Sequence, residues 1–288
     1  MRGIPQDLDI RSPGSLAEAL DVLGREPGAW QPLSGGTDLM VLHEAGVLGP
    51  RRLLDLSRLE ELRKTRVAPD AVEIGAGCSY MAIQEHPVVA REFPMLAQAA
   101  RETGAWAIQE RGTLGGNLAN ASPAADSVPV LMAYGATLRL SSRSGDRLLP
   151  VDAFFLAYRR TALRPDELIT GIVLPRREYP VTYFRKVGAR RAQAISKVVL
   201  AGAGSWEDGG LECRIGIGSV APVPLRLRST EDTLRRWAGT GDWQGRATDC
   251  LMDEIAPIDD IRSTASYRRA VAANLLLAFL RRAEAARG

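Results

Sequence analysis

The 288-residue chain carries 37 basic and 34 acidic side chains, a formal net charge of +3, with 45% hydrophobic and 25% charged residues. These are values of an ordinary soluble globular protein, long enough for two domains. No run approaches the roughly 18 consecutive apolar residues of a membrane span, and the opening Met1-Arg2-Gly3-Ile4-Pro5 has no apolar signal region, so a cytoplasmic location is expected. Aromatics are 6% of the chain and do not interleave with the arginines, which fall in scattered pairs such as Arg51-Arg52 and Arg159-Arg160; a nucleic-acid surface is therefore not expected. Cys78, Cys213 and Cys250 are far apart, without Cys-x-x-Cys spacing and with only His43 and His86 to supplement them. Buried free thiols are expected, not an internal iron–sulfur cluster or structural zinc.

In chain order, Ser15 followed by Glu18 forms a capping box for a helix burying Leu16, Ala19, Leu20 and Leu23. A short strand at 29–33 runs into Ser34-Gly35-Gly36-Thr37-Asp38, where Thr37 and Asp38 can cap a helix over 39–44 that ends at Gly46. A strand is predicted at 52–56 and a hairpin over 62–67 and 71–74 around Pro69-Asp70. Ser79 caps a helix ending before Pro87, and a helix over 94–103 starts with proline and stops at Gly104. The segment 112–126 is too polar for a core strand and too uncharged for a solvated loop; Ser122-Pro123 is expected to start a helix with Asp126 in its first turn. A hairpin over 136–142 and 147–151 and a buried strand over 168–174 follow. Pro175 to Pro180, charged and bracketed by prolines, reads as a domain boundary. Beyond it come strands over 182–187, 198–206 and 211–219, a helix capped by Ser229 with Asp232, and a terminal amphipathic helix over 267–285: strands, then helices, an α+β arrangement.

Two glycine pairs carry the functional signal. Gly35-Gly36 and Gly115-Gly116 can take positive φ and aim successive backbone N–H groups at one point, and two such concavities suit a pyrophosphate. A Rossmann fingerprint is not complete anywhere, since Tyr80 and Glu207 stand where the third glycine would follow Gly75-x-Gly77 and Gly202-x-Gly204; both pairs read as ordinary turns.

Ser34-Gly-Gly-Thr-Asp-Leu39, the stretch Arg111-Gly-Thr-Leu-Gly-Gly-Asn-Leu-Ala-Asn-Ala-Ser-Pro-Ala-Ala-Asp126 and Asp260-Ile-Arg-Ser-Thr-Ala-Ser-Tyr-Arg268 together resemble the FAD-binding medium subunits of the xanthine dehydrogenase and carbon monoxide dehydrogenase family of molybdenum hydroxylases, in family order along essentially the whole chain. The resemblance implies an α+β fold: a two-subdomain FAD-binding domain of the vanillyl-alcohol oxidase (PCMH) type over residues 1–177, divided at about 57, then a carbon monoxide dehydrogenase flavoprotein C-terminal domain over 178–288. By the same resemblance, Leu33, Ser34, Gly35, Gly36, Thr37 and Asp38 would wrap one side of the FAD pyrophosphate. Thr113, Gly115, Gly116, Asn117, Asn120 and Asp126 would hold the other phosphate, the ribitol and the ribose, with Asp126 accepting from a ribose hydroxyl or capping the loop. Thr103 and Gly104 would approach the nucleotide, Ile169 would lie beside the isoalloxazine, Lys186 near its polar edge and Ile195 over its face.

No lysine lies in either glycine segment, so the anion would depend on backbone N–H groups. The resemblance further implies a large molybdopterin-binding partner, a small [2Fe–2S] partner, NAD+ or another acceptor, and a dimer of heterotrimers. FAD is the cofactor expected here, with no metal site and no acid–base pair in this chain. The rival readings are a stand-alone flavin reductase resembling UDP-N-acetylenolpyruvoylglucosamine reductase, and a flavin-free assembly scaffold.

Overall fold

The computed structural model describes residues 8–48, 51–190, 193–207 and 209–287. The chain begins with β1 (Leu8–Arg11), α1 (Leu16–Arg25), β2 (Gln31–Leu33), α2 (Leu39–Glu44) and β3 (Arg51–Asp55). The three strands form a parallel sheet in the order β1-β3-β2. The capping box of α1 forms: Ser15 Oγ accepts from the Glu18 amide, and the Glu18 carboxylate reaches back to the Gly14 amide at 2.8 Å. Ala19, Val22 and Leu23 of α1 pack with Trp30 and Leu54 in a small core that also receives Leu168 from the next sheet.

The middle of the chain contains β4 (Thr65–Val67), β5 (Ala71–Gly75), six short helices α3 (Tyr80–Glu85), α4 (Pro87–Glu92), α5 (Pro94–Glu102), α6 (Trp106–Arg111), α7 (Leu114–Asn120) and α8 (Ser127–Ala133), and then β6 (Thr137–Ser142), β7 (Gly145–Pro150), β8 (Phe155–Ala157), β9 (Arg160–Thr161) and β10 (Leu168–Pro175). Its main sheet is antiparallel in the order β4-β5-β10-β6-β7. The mostly apolar sequence of β10, buried from Leu168 to Ile172 and again at Leu174, suits its central place. A bulge between Ile169 and Gly171 interrupts its register with β6, the kind of irregularity that re-aims a side chain.

The last part is β11 (Val181–Val187), β12 (Val198–Glu207), β13 (Gly210–Gly218), β14 (Leu225–Arg226), α9 (Arg228–Trp237), α10 (Trp243–Glu254) and α11 (Ala265–Ala285). The strands form an antiparallel sheet in chain order. Alternation along β12 explains its layering. Val199, Ala201 and Ala203 enter the core built by the middle segment, while Val198 and Leu200 enter a separate core with Leu276, Phe279 and Leu280 of α11. This sheet is therefore sandwiched between α8 and the terminal helices. All seven residues of α8 are buried, and its backbone touches β13 so closely that a Cβ on Gly216 would lie 2.2 Å from the Pro129 carbonyl oxygen.

Several local expectations are corrected. Gly202 and Gly204 are interior to β12, not turns, because Gly202 lies under the Phe279 ring and Gly204 against the backbone of β13. Ser229 does not cap α9: the helix starts one residue earlier without a side-chain cap, and the Glu254 carboxylate of α10 accepts from the amides of Ser229 and Thr230 instead. Ser122-Pro123 does not start α8, since the Pro123 carbonyl is held by the Ser219 amide at 2.8 Å. Thr37 and Asp38 give α2 no side-chain cap. Cys78 and Cys213 are buried, but Cys250 is only partly so, its Sγ 3.2 Å from Thr233 Oγ1.

Candidate functional site

An open cleft of about 480 Å³ lies where the N-terminal parallel sheet meets the middle segment, a size in the range of small-molecule sites. One wall is the loop between β2 and α2. Ser34, Gly35, Gly36, Thr37 and Asp38 all line the cleft, whereas Leu33 lies just outside its lining. Gly36 takes the positive φ of 73° that the turn requires. Among the described residues, no group of the chain accepts from the backbone amides of Gly35, Gly36, Thr37 or Asp38, although the Gly36 and Asp38 carbonyls accept from α2. Four successive donors therefore remain open beside the cleft, the arrangement of an anion nest.

The opposite wall is the second glycine segment, and it works differently from the sequence expectation. Gly115 and Gly116 do not adopt positive φ; they open the helix α7, with Thr113 as its N-cap. Their amides are already used, Gly115 N–H donating to the Ala76 carbonyl at 2.8 Å and Gly116 N–H to Thr113 Oγ1 at 3.2 Å. The glycines are needed for approach: a Cβ on Gly115 would sit 2.6 Å from that of Ala76. Besides the two glycines, this wall brings Thr113, Asn117, Ala119 and Asn120 to the cleft, with Asn117 Oδ1 accepting from Ser127 Oγ at 2.7 Å. Thr113 Oγ1 donates to Ser34 Oγ at 3.2 Å, a contact that joins the two glycine segments across 79 residues. At the same junction, a Cβ on Gly35 would fall 1.9 Å from the Arg111 carbonyl oxygen.

Thr103, at the end of α5, and Ile169, at the bulge of β10, also line the cleft; Gly104 (φ 62°) does not, packing against Ile108. Asp126 and Lys186 lie behind the cleft wall, in contact with each other. Lys186 is neither solvent-facing nor free: its Nζ donates to Asp126 Oδ2 at 2.7 Å and to the Glu102 carbonyl at 2.8 Å, beside Thr103. Asp126 stands before α8 without capping it, and its other oxygen accepts from Ser196 Oγ. Burial pushes the Asp126 carboxyl up, and Lys186 and Ser196 pull it back. The Tyr80 phenol, on the cleft wall, is pushed well above its usual range by burial and by the Asp126 charge. Ile195 is 55% exposed and so is not a core residue.

Sequence reasoning missed Tyr80, Ile108, Leu163 and Arg159 as cleft residues. Arg159, at the β8–β9 turn with φ 53°, is the only basic residue among the described lining residues. It brings a basic side chain to the cleft from a hairpin that no motif marks. No described helix is long and apolar enough to cross a membrane.

Comparison with known proteins gives the family of this site. Residues 6–177 match the profile described as the FAD binding domain in molybdopterin dehydrogenase, and residues 183–283 match the carbon monoxide dehydrogenase flavoprotein C-terminal domain. The chain belongs to the FAD-binding medium subunits of the xanthine and carbon monoxide dehydrogenase family. It is 29% identical to the carbon monoxide dehydrogenase medium chain of Hydrogenophaga pseudoflava over 95% of this chain and 96% of that one. It is 32% identical to the glyceraldehyde dehydrogenase medium chain of Sulfolobus acidocaldarius, over 89% of this chain and 91% of that one. A solved structure of carbon monoxide dehydrogenase from Hydrogenophaga pseudoflava, which lacks the Mo-pyranopterin moiety of its cofactor, superposes with a TM-score of 0.92 at 28% identity, covering 98% of this chain and 99% of that one. The open amides of Gly35 to Asp38 and the uncapped, cleft-facing loop fit the diphosphate of the FAD that the family binds.

Proposed function

We propose that this chain is the FAD-carrying electron-transfer subunit of a heteromeric molybdenum hydroxylase. A large molybdopterin-binding subunit oxidises the substrate, a small [2Fe–2S] subunit relays electrons, and this chain delivers them to NAD+ or another acceptor, two heterotrimers pairing in the assembly. The observation that carries the reading is the cleft itself: four open amides on one wall, hydroxyl and amide side chains on the other, and a direct Ser34–Thr113 link between them. Near-complete mutual coverage with medium chains supports it.

Bound FAD supplies the capacity to take electrons singly and release them in pairs. The chain's own residues hold and shield it. Residues 1–177 form the cleft, with the Leu33–Asp38 loop on the diphosphate, its amides offering charge-assisted hydrogen bonds worth about 1.5–3 kcal/mol each. Thr113, Asn117 and Asn120 orient the polar chain of the dinucleotide, Gly115 and Gly116 let that wall pack, and Thr103 and Ile169 bound the ring end, with Gly104 behind them against Ile108. Residues 178–288 supply Lys186 at the edge of that end. Asp126 holds Lys186 in place, in preference to a ribose contact, because both of its oxygens are engaged.

The test is purification of a tagged copy from its own host. A yellow-brown complex with two further chains, one carrying molybdopterin and one giving [2Fe–2S] electron paramagnetic resonance signals, is expected. A lone flavoprotein that turns over fully with a nicotinamide donor would overturn the proposal and favour the reductase reading.

A further inference from the structure

The segment Asp260–Arg268 contributes no residue to the cleft lining, yet Tyr267 and Arg268 contact Lys197, just before β12, and Arg268 also contacts Ser219, just after β13. Asp260 makes a tight turn, its carboxylate accepting from the amides of Arg262 and Ser263 and from the Arg268 guanidinium at 2.8 Å. Thr264 Oγ1 caps α11 by accepting from the Tyr267 amide, which fixes Tyr267 and Arg268 in its first turn. Both then grip the same residue. The Tyr267 ring lies 5.1 Å from Lys197 Nζ, and the guanidinium of Arg268, a residue only 4% exposed, donates to the carbonyls of Lys197 at 2.9 Å and Ser219 at 2.7 Å.

These two carbonyls bracket Ser196. Ser219 Oγ donates to the Ser196 carbonyl at 3.0 Å, and Ser196 Oγ donates to Asp126, the partner of Lys186. An unbroken set of polar contacts thus runs from the start of α11 to the Glu102 carbonyl, one residue from Thr103 in the cleft. An arginine needed only to close the Asp260 turn has no use for two backbone carbonyls at the ends of β12 and β13. Arginine is suited to the task because its fixed fork serves three acceptors at once, which a lysine cannot reproduce.

We propose that Asp260–Arg268 is a positioning device for the flavin: Arg268, with Tyr267, fixes the backbone around Ser196, so that Ser196 orients Asp126 and Asp126 holds Lys186 at the edge of the cofactor cleft. This rests on the placement of Lys186 beside the flavin given above. Arg268 touches neither the cleft nor the cofactor and acts through Ser196.

The experiment is a spectroelectrochemical titration of the flavin in the intact FAD-loaded complex, with FAD content and melting temperature recorded for each variant. Lys186→Met shifts the flavin midpoint potential, and Ser196→Ala, Ser219→Ala and Arg268→Lys each shift it in the same sense. The double variant Ser196→Ala/Arg268→Lys shifts it no further than the larger of its two singles, since both act on one path. Should Arg268→Lys fail to fold, Ser219→Ala, which removes only a hydroxyl, carries the same reading. A shift in Lys186→Met with unchanged potentials in folded, flavin-replete Ser219→Ala and Arg268→Lys overturns the positioning role alone. Additive shifts in the double variant also overturn it. An unchanged potential in Lys186→Met overturns the placement of Lys186 and the positioning role together.

Discussion

Four glycines at the cleft do two different jobs. Gly36 supplies a backbone conformation, whereas Gly35 and Gly115 supply space at positions where another segment's backbone or Cβ occupies the volume a side chain would need. Gly116 is the least constrained: an added Cβ would meet only Thr113 Oγ1, at 2.9 Å. Gly115→Ala is therefore expected to cost about 1–3 kcal/mol of stability through overpacking against Ala76, and Gly116→Ala clearly less, as read by urea unfolding of the two variants; equal losses would contradict this assignment. The glycine motifs were legible as a nucleotide site because their residue types are the signal. Which of the two presents open amides was not, since that depends on Ala76 and Cys78, which belong to another turn and satisfy the amides of the second segment. Arg159 escaped notice for the same kind of reason: one arginine in an unremarkable hairpin acquires meaning only when the fold brings it to the cleft.

Elements were most legible where a local device fixes them. The capping box of α1, the Ser79 cap of α3 and the proline start of α5 all form as their residues dictate. They were least legible where a distant group replaces the local device, as Glu254 does for α9 and Ser219 does at Pro123. The short helices α6 and α7 have too little length for an apolar period to show. Between elements, arginine forks provide much of the docking. Arg176 at the end of β10 makes a bidentate contact with Glu92 of α4 at 2.7 and 2.8 Å. That contact and the Arg91 guanidinium hold the Glu92 carboxyl down at about 2 against an ordinary value of 4.5. A carboxyl lowered in the folded state stabilises it above the ordinary value, and the contribution is lost as pH falls from 4.5 through 2. Glu92→Gln is accordingly expected to show a shallower loss of melting temperature between pH 5 and pH 2.5 than the wild type; parallel melting curves across that range would exclude the linkage.

At the scale of the molecule, the cofactor cleft and the terminal domain are not independent modules placed end to end. The sheet β11–β14 shares one core with the middle segment on one face and packs α9–α11 on the other. The alternation of β12 was readable as buried strand, but a strand buried on both faces carries no mark of which partner lies on which side. In consequence Lys186, on β11, meets the Glu102 carbonyl of α5 and Asp126 behind the cleft wall. The cleft is closed by two walls that are far apart in sequence, and they meet closely at Gly35, where an added Cβ would fall 1.9 Å from the Arg111 carbonyl oxygen.

The most direct measurement is the FAD content of the purified complex, compared between wild type, Gly35→Ala and Gly209→Ala, the last being a position where an added Cβ meets nothing within 4 Å. Close to one FAD per chain is expected in wild type and Gly209→Ala, and a small fraction of that in Gly35→Ala with the terminal domain still folded. Full FAD occupancy in Gly35→Ala would show that the cofactor is not held by closure of the two walls.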